Sequence, residues 1–243
     1  MLLKAKLTLK LRYKKMKKLI LILSFTMLFF SNAIAFDGIK GVNVGLSLSG
    51  GVFDVDGAKE EFKGNHVGAQ NPGNITKKST EDTAEGLFAI GSVFAELQIN
   101  DVIGIGIDYV PHSLESETTE NVQTDGGASK TNKVQVDFTK LATLYATASH
   151  PIGVYAKVGY VEVDVETNEN LGTGGAYGDT SLDGYTVALG YQREIQNDAF
   201  VRIEANYMEL DGATLTNSND STKSITADGI TGYGAKLSIG KSF

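Results

Sequence analysis

Val42, Val44, Leu46 and Leu48 alternate with Asn43, Gly45, Ser47 and Ser49, so an extended chain here has one branched aliphatic face and one small or polar face. Ile103, Ile105, Ile107 and Tyr109 stand in the same way against Gly104, Gly106 and Asp108, and Val201, Ile203, Ala205 and Tyr207 against Arg202, Glu204 and Asn206. Side chains on a strand point to opposite faces in turn, so these segments are strands whose two faces meet unlike solvents. Eight of them are legible, at about 39–55, 85–99, 102–112, 133–148, 152–165, 184–196, 199–210 and 228–243. Their connections alternate in length. "IND" near Asn100, "SHP" near His150 and "QND" near Asn197 are tight, whereas 56–84, 113–132, 166–183 and 211–227 are long and rich in Gly, Ser, Thr, Asn and Asp. Tight turns at one end and long loops at the other predict an all-β, eight-stranded antiparallel up-and-down barrel.

The N-terminus says where such a barrel goes. Residues 1–35 carry eight basic and no acidic side chains, with the apolar run "LILILSFTMLFF" from Leu19 to Phe30 and small residues at Ala33 and Ala35. Basic region, short apolar core and A-x-A site predict a cleavable signal peptide over 1–35, cut between Ala35 and Phe36. The apolar core is shorter than the roughly 20 residues that span a bilayer, which argues against a membrane anchor. Met16, followed by Lys17 and Lys18, is the expected start of the signal, with 1–15 an over-extended reading frame; N-terminal sequencing of the precursor tests this.

Without residues 1–35 the chain keeps 22 − 8 = 14 basic against 29 acidic side chains, a net charge of −15 over 36–243, one barrel domain. Such a chain repels nucleic acid, and no interleaved basic and aromatic pattern offsets that. With no cysteine, disulfides and thiolate metal sites are excluded.

A soluble barrel puts aliphatic residues inside and charges outside; aromatic residues decide the opposite assignment here. Tyr109, Phe138, Tyr160, Tyr207 and Tyr233 share the aliphatic face near the long-loop ends of their strands, and Tyr191 and Phe243 lie near the other end. Two aromatic belts around an aliphatic band predict a transmembrane β-barrel. The polar face is then the interior, where Glu96, Asp108, Asp137, Glu194 and Glu204 are expected to meet Arg202, Lys157 and Lys236 in a structural charge network. Eight strands leave an interior just wide enough to be filled by side chains. Glu96 and Gln98 are assigned inward from the cost of placing them in lipid. Lys140 interrupts an outward series of Val134, Val136, Phe138, Ala142 and Leu144, which predicts a bulge near Thr139 that turns Lys140 inward and re-aims Tyr145.

The signal "MKKLILILSFTMLFFSNAIA", the eight alternating segments and the closing strand "TGYGAKLSIGKSF" together resemble the small outer-membrane β-barrels of Gram-negative bacteria, of the OmpA transmembrane-domain, OmpX and opacity-protein type. The resemblance covers 36–243 and is one of architecture, so it implies a cell outer-membrane location but no specific activity. It also implies recognition of the terminal strand by the barrel-assembly machinery, through Tyr233, Leu237, Ile239 and Phe243, and contact with outer-membrane lipid and lipopolysaccharide. Lys241 departs from the pattern, standing two residues from the end where an apolar residue is usual. Near the rim its ammonium is expected to snorkel into the headgroups.

Chemistry-bearing motifs are sparse. "PHSLESE" brings His112, Ser113, Glu115 and Glu117 to the end of a strand, the residue types of a lipid A-modifying hydrolase, although neighbours on a strand face opposite ways. "DVDG" at 54–57 has its glycine two positions early for a calcium loop, and "GTGGAYG" at 172–178 has Tyr177 in a glycine's place and no helix behind it. Divalent ions bridging the acidic loops to lipopolysaccharide are a further expectation. No cofactor is expected. The expected function is a structural or surface-contact role through four extracellular loops reaching an external ligand or surface, with a narrow channel for small solutes and the hydrolase at His112 and Ser113 as alternatives.

Overall fold

The computed structural model describes residues 39–62, 76–77, 82–125, 128–172 and 174–243. The signal segment, its cleavage site, the choice between Met1 and Met16, and His66 lie outside the described residues. Eight long strands form the wall: β1 (Gly41–Phe62), β2 (Asp82–Gln98), β3 (Ile103–Tyr109), β4 (Ala128–Ser149), β5 (Val154–Leu171), β6 (Thr180–Glu194), β7 (Ala199–Thr216) and β8 (Lys223–Ser242). Each pairs antiparallel with its chain neighbours. β8 returns to β1 in a continuous register from Asn43↔Ser242 to Phe62↔Lys223, which closes the sheet. A closed sheet has no edge at that seam, the condition for a β-structure in hydrocarbon.

The faces are inverted relative to a soluble barrel. On β1, Leu46 and Leu48 are 60% and 63% exposed while Ser47 and Ser49 are 7% and 4% exposed. Register carries this band around the wall, with Leu48 beside Leu237, Leu237 beside Ile203, Ile203 beside Tyr191, and Val158 beside Val187. A continuous apolar exterior around a charged interior has a low free energy only in a bilayer, so this is a transmembrane β-barrel of the outer-membrane type. No helix of the described residues is long and apolar enough to cross a membrane; the crossing is made by strands.

The turns at the short-loop end follow from their residues. Asn197 and Asp198 both adopt positive φ, 59° and 60°, the two-residue hairpin geometry that Asn and Asp tolerate. Asn100 accepts the amides of Val102 and Ile103 on its side-chain oxygen, each at 2.8 Å.

The long-loop end is more regular than its composition suggests. β1 runs on to Phe62, β5 to Leu171 and β7 to Thr216, and strand segments Leu114–Glu115 and Thr119–Asp125 pair with β4 inside the expected loop 113–132. The strands therefore continue as a stalk: β5 runs 11 residues beyond Tyr160, roughly 35 Å along the strand. The stalk has its own apolar core of Val161, Val163, Val165, Leu182, Leu210 and Ile230, packed against Phe53, Val136, Phe138 and Met208. β3 is the exception, ending at Tyr109 rather than at His112, because Pro111 has no amide to continue the ladder.

Two expectations about β4 need correction. The register does shift between Thr139 and Ala142, and Lys140 has φ 56°, so a bulge is present. It does not turn Lys140 inward: Lys140 stays exposed and bonds Asp164 at 2.9 Å. The bulge instead changes which residues face in. Val136 and Phe138 pack on the inner core before it, and Tyr145 is buried after it, so Phe138 is no belt residue.

Candidate functional site

Alternation on β2, β3, β5, β7 and β8 sends Glu96, Asp108, Lys157, Arg202, Glu204 and Lys236 into the lumen, where they meet as three ion pairs. Arg202 binds Glu96 in a fork, Nη1 to Oε2 at 3.0 Å and Nη2 to Oε1 at 2.6 Å. Its Nε donates to Gln192 at 2.6 Å, and Glu96 also accepts from Gln98 and Asn43. The planar guanidinium lies among the rings of Phe94, Tyr155 and Phe200, 4.8 to 5.4 Å from their centres, a setting that suits arginine. Lys157 pairs with Glu204, which accepts the Tyr155 hydroxyl at 2.7 Å as well, and the Lys157 ammonium stands over the Tyr145 ring. Lys236 bonds Asp108 at 2.8 Å.

Inward glycines make room for these rings. A Cβ on Gly106 would lie 2.5 Å from Tyr145, and one on Gly190 would lie 2.4 Å from Tyr155. Above the plug remains a cavity of about 60 Å³ lined by Lys157, Lys236, Asp108, Asn206, Phe88 and Met208. Asn206 Oδ1 is buried there without a protein partner, a setting suited to ordered water. Each of these six charges is matched by an opposite one.

Two residues expected in the network stand elsewhere. Glu194 has the inward parity but is exposed, because β6 is leaving the barrel at the short-turn rim. Asp137 lies on the stalk, accepting from Gln135 and Asn168.

The tyrosines ring the wall where the stalk begins. Tyr160 donates to Asp183 at 2.9 Å, and Tyr185 and Tyr207 both donate to Glu209, at 2.5 and 2.7 Å. Tyr185, Tyr207 and Tyr233 form a ladder with ring centres 6.1 and 5.2 Å apart. Tyr109 is half-buried at the end of β3. Tyr185 was not among the expected belt residues, although it shares its parity with Val187, Leu189 and Tyr191 in "GYTVALGY". At the opposite rim Tyr191 and Phe243 are exposed. Lys241 is exposed beside them, its ammonium 5.3 Å from the Phe243 ring centre. Of the terminal-strand residues, Leu237 and Ile239 belong to the same outward band as Tyr233 and Phe243.

The hydrolase constellation is not assembled. His112 directs its two nitrogens at the Gly91 amide and the Ser113 carbonyl oxygen, and Ser113 and Glu115 are exposed. Glu115 pairs in register with Asp137 on β4. At the tip of the stalk two loops are joined instead: Ser218 N–H donates to Ala176 O at 2.8 Å, and Ala176 N–H donates to Ser218 Oγ at 2.9 Å. Glu169 Oε1 fixes the first loop by accepting the amides of Tyr177 and Gly178, and Asn217 Oδ1 fixes the second by accepting those of Asn219 and Asp220. Among the described residues no three His, Asp or Glu are grouped as metal ligands.

No family profile and no curated protein matches the chain. Among solved structures it is similar to OprG, an outer membrane protein of Pseudomonas aeruginosa, at 13% identity and a TM-score of 0.43, over 84% of this chain and 96% of that one. It is also similar to Ail, the attachment invasion locus protein of Yersinia pestis, at 10% identity and 0.36, over 84% and 99%. A third is the outer membrane protease OmpT of Escherichia coli, at 12% and 0.36, over 86% and 99%.

Proposed function

We propose that this chain is a closed outer-membrane barrel that serves as a platform, holding its joined loops away from the lipid for contact with an external ligand or surface. One observation carries the reading: the wall continues past the tyrosine belt as a stalk with its own apolar core, topped by the hydrogen-bonded loops at 174–179 and 217–222. Loops held on a rigid scaffold are where recognition usually resides. The charge plug below argues against solute passage, since three matched pairs occupy the lumen and the cavity above them, about 60 Å³, has room for a few waters. Within this reading the tyrosine belt sits against outer-membrane lipid and lipopolysaccharide, and the strand ending at Phe243 is what the barrel-assembly machinery engages.

Replacing 174–179 and 217–222 by short Gly-Ser turns tests the proposal. Binding of cells to surfaces or to other cells should fall while the barrel keeps its heat-dependent gel mobility. Unchanged binding by the shortened protein would sink the contact role, and steady ion conductance of the purified barrel in a planar bilayer would favour the channel alternative.

A further inference from the structure

β2 and β3 part company at a definite point. Their ladder runs from Gln98↔Gly104 to Val93↔Tyr109 and stops. Beyond Tyr109 the chain leaves β2 and follows β4, with Val110 N–H donating to Leu141 O and Ser116 N–H to Val136 O. Among the described residues, β2 from Asp82 to Ser92 is then paired on the β1 side alone, and Leu87 is 84% exposed there. The next backbone acceptor that Gly91 needs on the β3 side is missing, and an imidazole has taken its place. Gly91 N–H donates to His112 Nε2 at 3.3 Å.

The other ring nitrogen fixes the state of the first. His112 Nδ1 lies 3.2 Å from the Ser113 carbonyl oxygen, which can only accept, so Nδ1 carries the proton and Nε2 keeps its lone pair. A second proton on the ring goes to Nε2. It removes the acceptor and sets an N–H against the N–H of Gly91.

We propose that His112 is a proton-released latch on the seam between β2 and the chain leaving β3. Neutral, it holds Gly91 and extends the closed wall past the end of β3. Protonated, it lets go, and the seam lengthens downward to Val93. The charged groups of its surroundings are Glu115 and Glu117 on its own segment, Asp137 opposite Glu115 on β4, and Lys140 at the β4 bulge beside the Tyr109 phenol; on β1 the residues opposite Gly91 are Ser47, Leu48 and Ser49, none of them charged. β2 itself has no titratable side chain between Glu85 and Glu96. An imidazole that takes up a proton changes from acceptor to donor at Nε2, which makes a latch of this kind sensitive to the pH outside the cell.

Amide hydrogen exchange by NMR on the barrel in lipid nanodiscs tests this, with Gly91 protection normalised to that of Leu97 within the β2–β3 ladder. Between neutral and mildly acidic buffer, Gly91 protection should fall about fivefold or more, as expected for loss of one hydrogen bond. His112→Gln keeps an accepting oxygen but does not titrate, so its Gly91 protection should not change with pH. His112→Ala should expose Gly91 at both. Protection of Gly91 that is independent of pH in the wild type, or an equal acid loss in the Gln variant, overturns the proposal; if the Ala variant does not assemble, the wild type and Gln pair decides.

Discussion

Arg202 on β7 grips Glu96 on β2 across the lumen with two guanidinium nitrogens, and both side chains are almost wholly withdrawn from solvent, at 7% and 0% exposure. Breaking such a pair from one side leaves an uncompensated charge in the interior. Arg202→Ala should therefore destabilise the barrel by about 3 kcal/mol or more. Urea unfolding in lipid vesicles and the temperature of the gel-mobility shift both read this, and unchanged resistance would count against a structural plug. The double variant Arg202→Met, Glu96→Leu removes both charges and should recover much of the loss.

Gly190 and Tyr155 are a matched pair of a different kind. A methyl group on Gly190 would meet the Tyr155 ring at 2.4 to 2.8 Å, so Gly190→Ala should cost about 1 to 3 kcal/mol by overpacking. Adding Tyr155→Leu should relieve the clash, at the expense of the hydroxyl bond to Glu204. Failure of the second change to recover any stability in the same unfolding assay would refute the steric account.

Lys140 is held in the left-handed region at φ 56° by the β4 bulge and makes an exposed pair with Asp164. Exposed pairs contribute about 0 to 1 kcal/mol, similar in size to the strain of a non-glycine residue in that conformation. Lys140→Gly should thus leave stability unchanged or raise it slightly, whereas Lys140→Pro, fixed at negative φ, should disrupt the bulge. A large loss in the Gly variant would mean that the ion pair matters more than the backbone.

Phe243 lengthens the β1–β8 seam. Phe243 exchanges both backbone hydrogen bonds with Val42, at 2.9 and 3.0 Å, and its exposed ring lies beneath the Lys241 ammonium. Deleting Phe243 should slow assembly, measured as the folded fraction on unheated gels, while Lys241→Tyr should preserve or improve it. The reverse result would show that the ammonium, rather than the terminal ring, is what assembly needs.

Much of this architecture is legible in the sequence because a membrane wall imposes contrast. Where one face meets hydrocarbon and the other a polar lumen, as along Val42 to Ser49 or Val201 to Tyr207, period-two alternation marks strand and facing together. The contrast fades above the tyrosines. Thr119–Asp125 and the start of β4 are polar on most positions yet pair residue for residue, because backbone hydrogen bonds hold a stalk with water around it. Facing on β4 was hidden by a single inserted residue, which reverses every parity beyond it and carried Phe138 from the expected belt into the core. His112 carries a reactive imidazole in the sequence; only the register shows that it stands in for a missing strand partner of Gly91. Composition could place the charges of the plug on inner faces, but which cation meets which anion depends on stagger around the closed sheet.

The plug also bears on the electrical character of the barrel. Its three ion pairs hold three positive and three negative side chains, so their charges sum to zero. The work a transmembrane voltage does on a group scales with the net charge it moves across the field, about 2.3 kcal/mol per elementary charge per 100 mV. A neutral cluster displaced as a unit feels no such drive. Shifting these three pairs together would therefore move no net charge across the membrane.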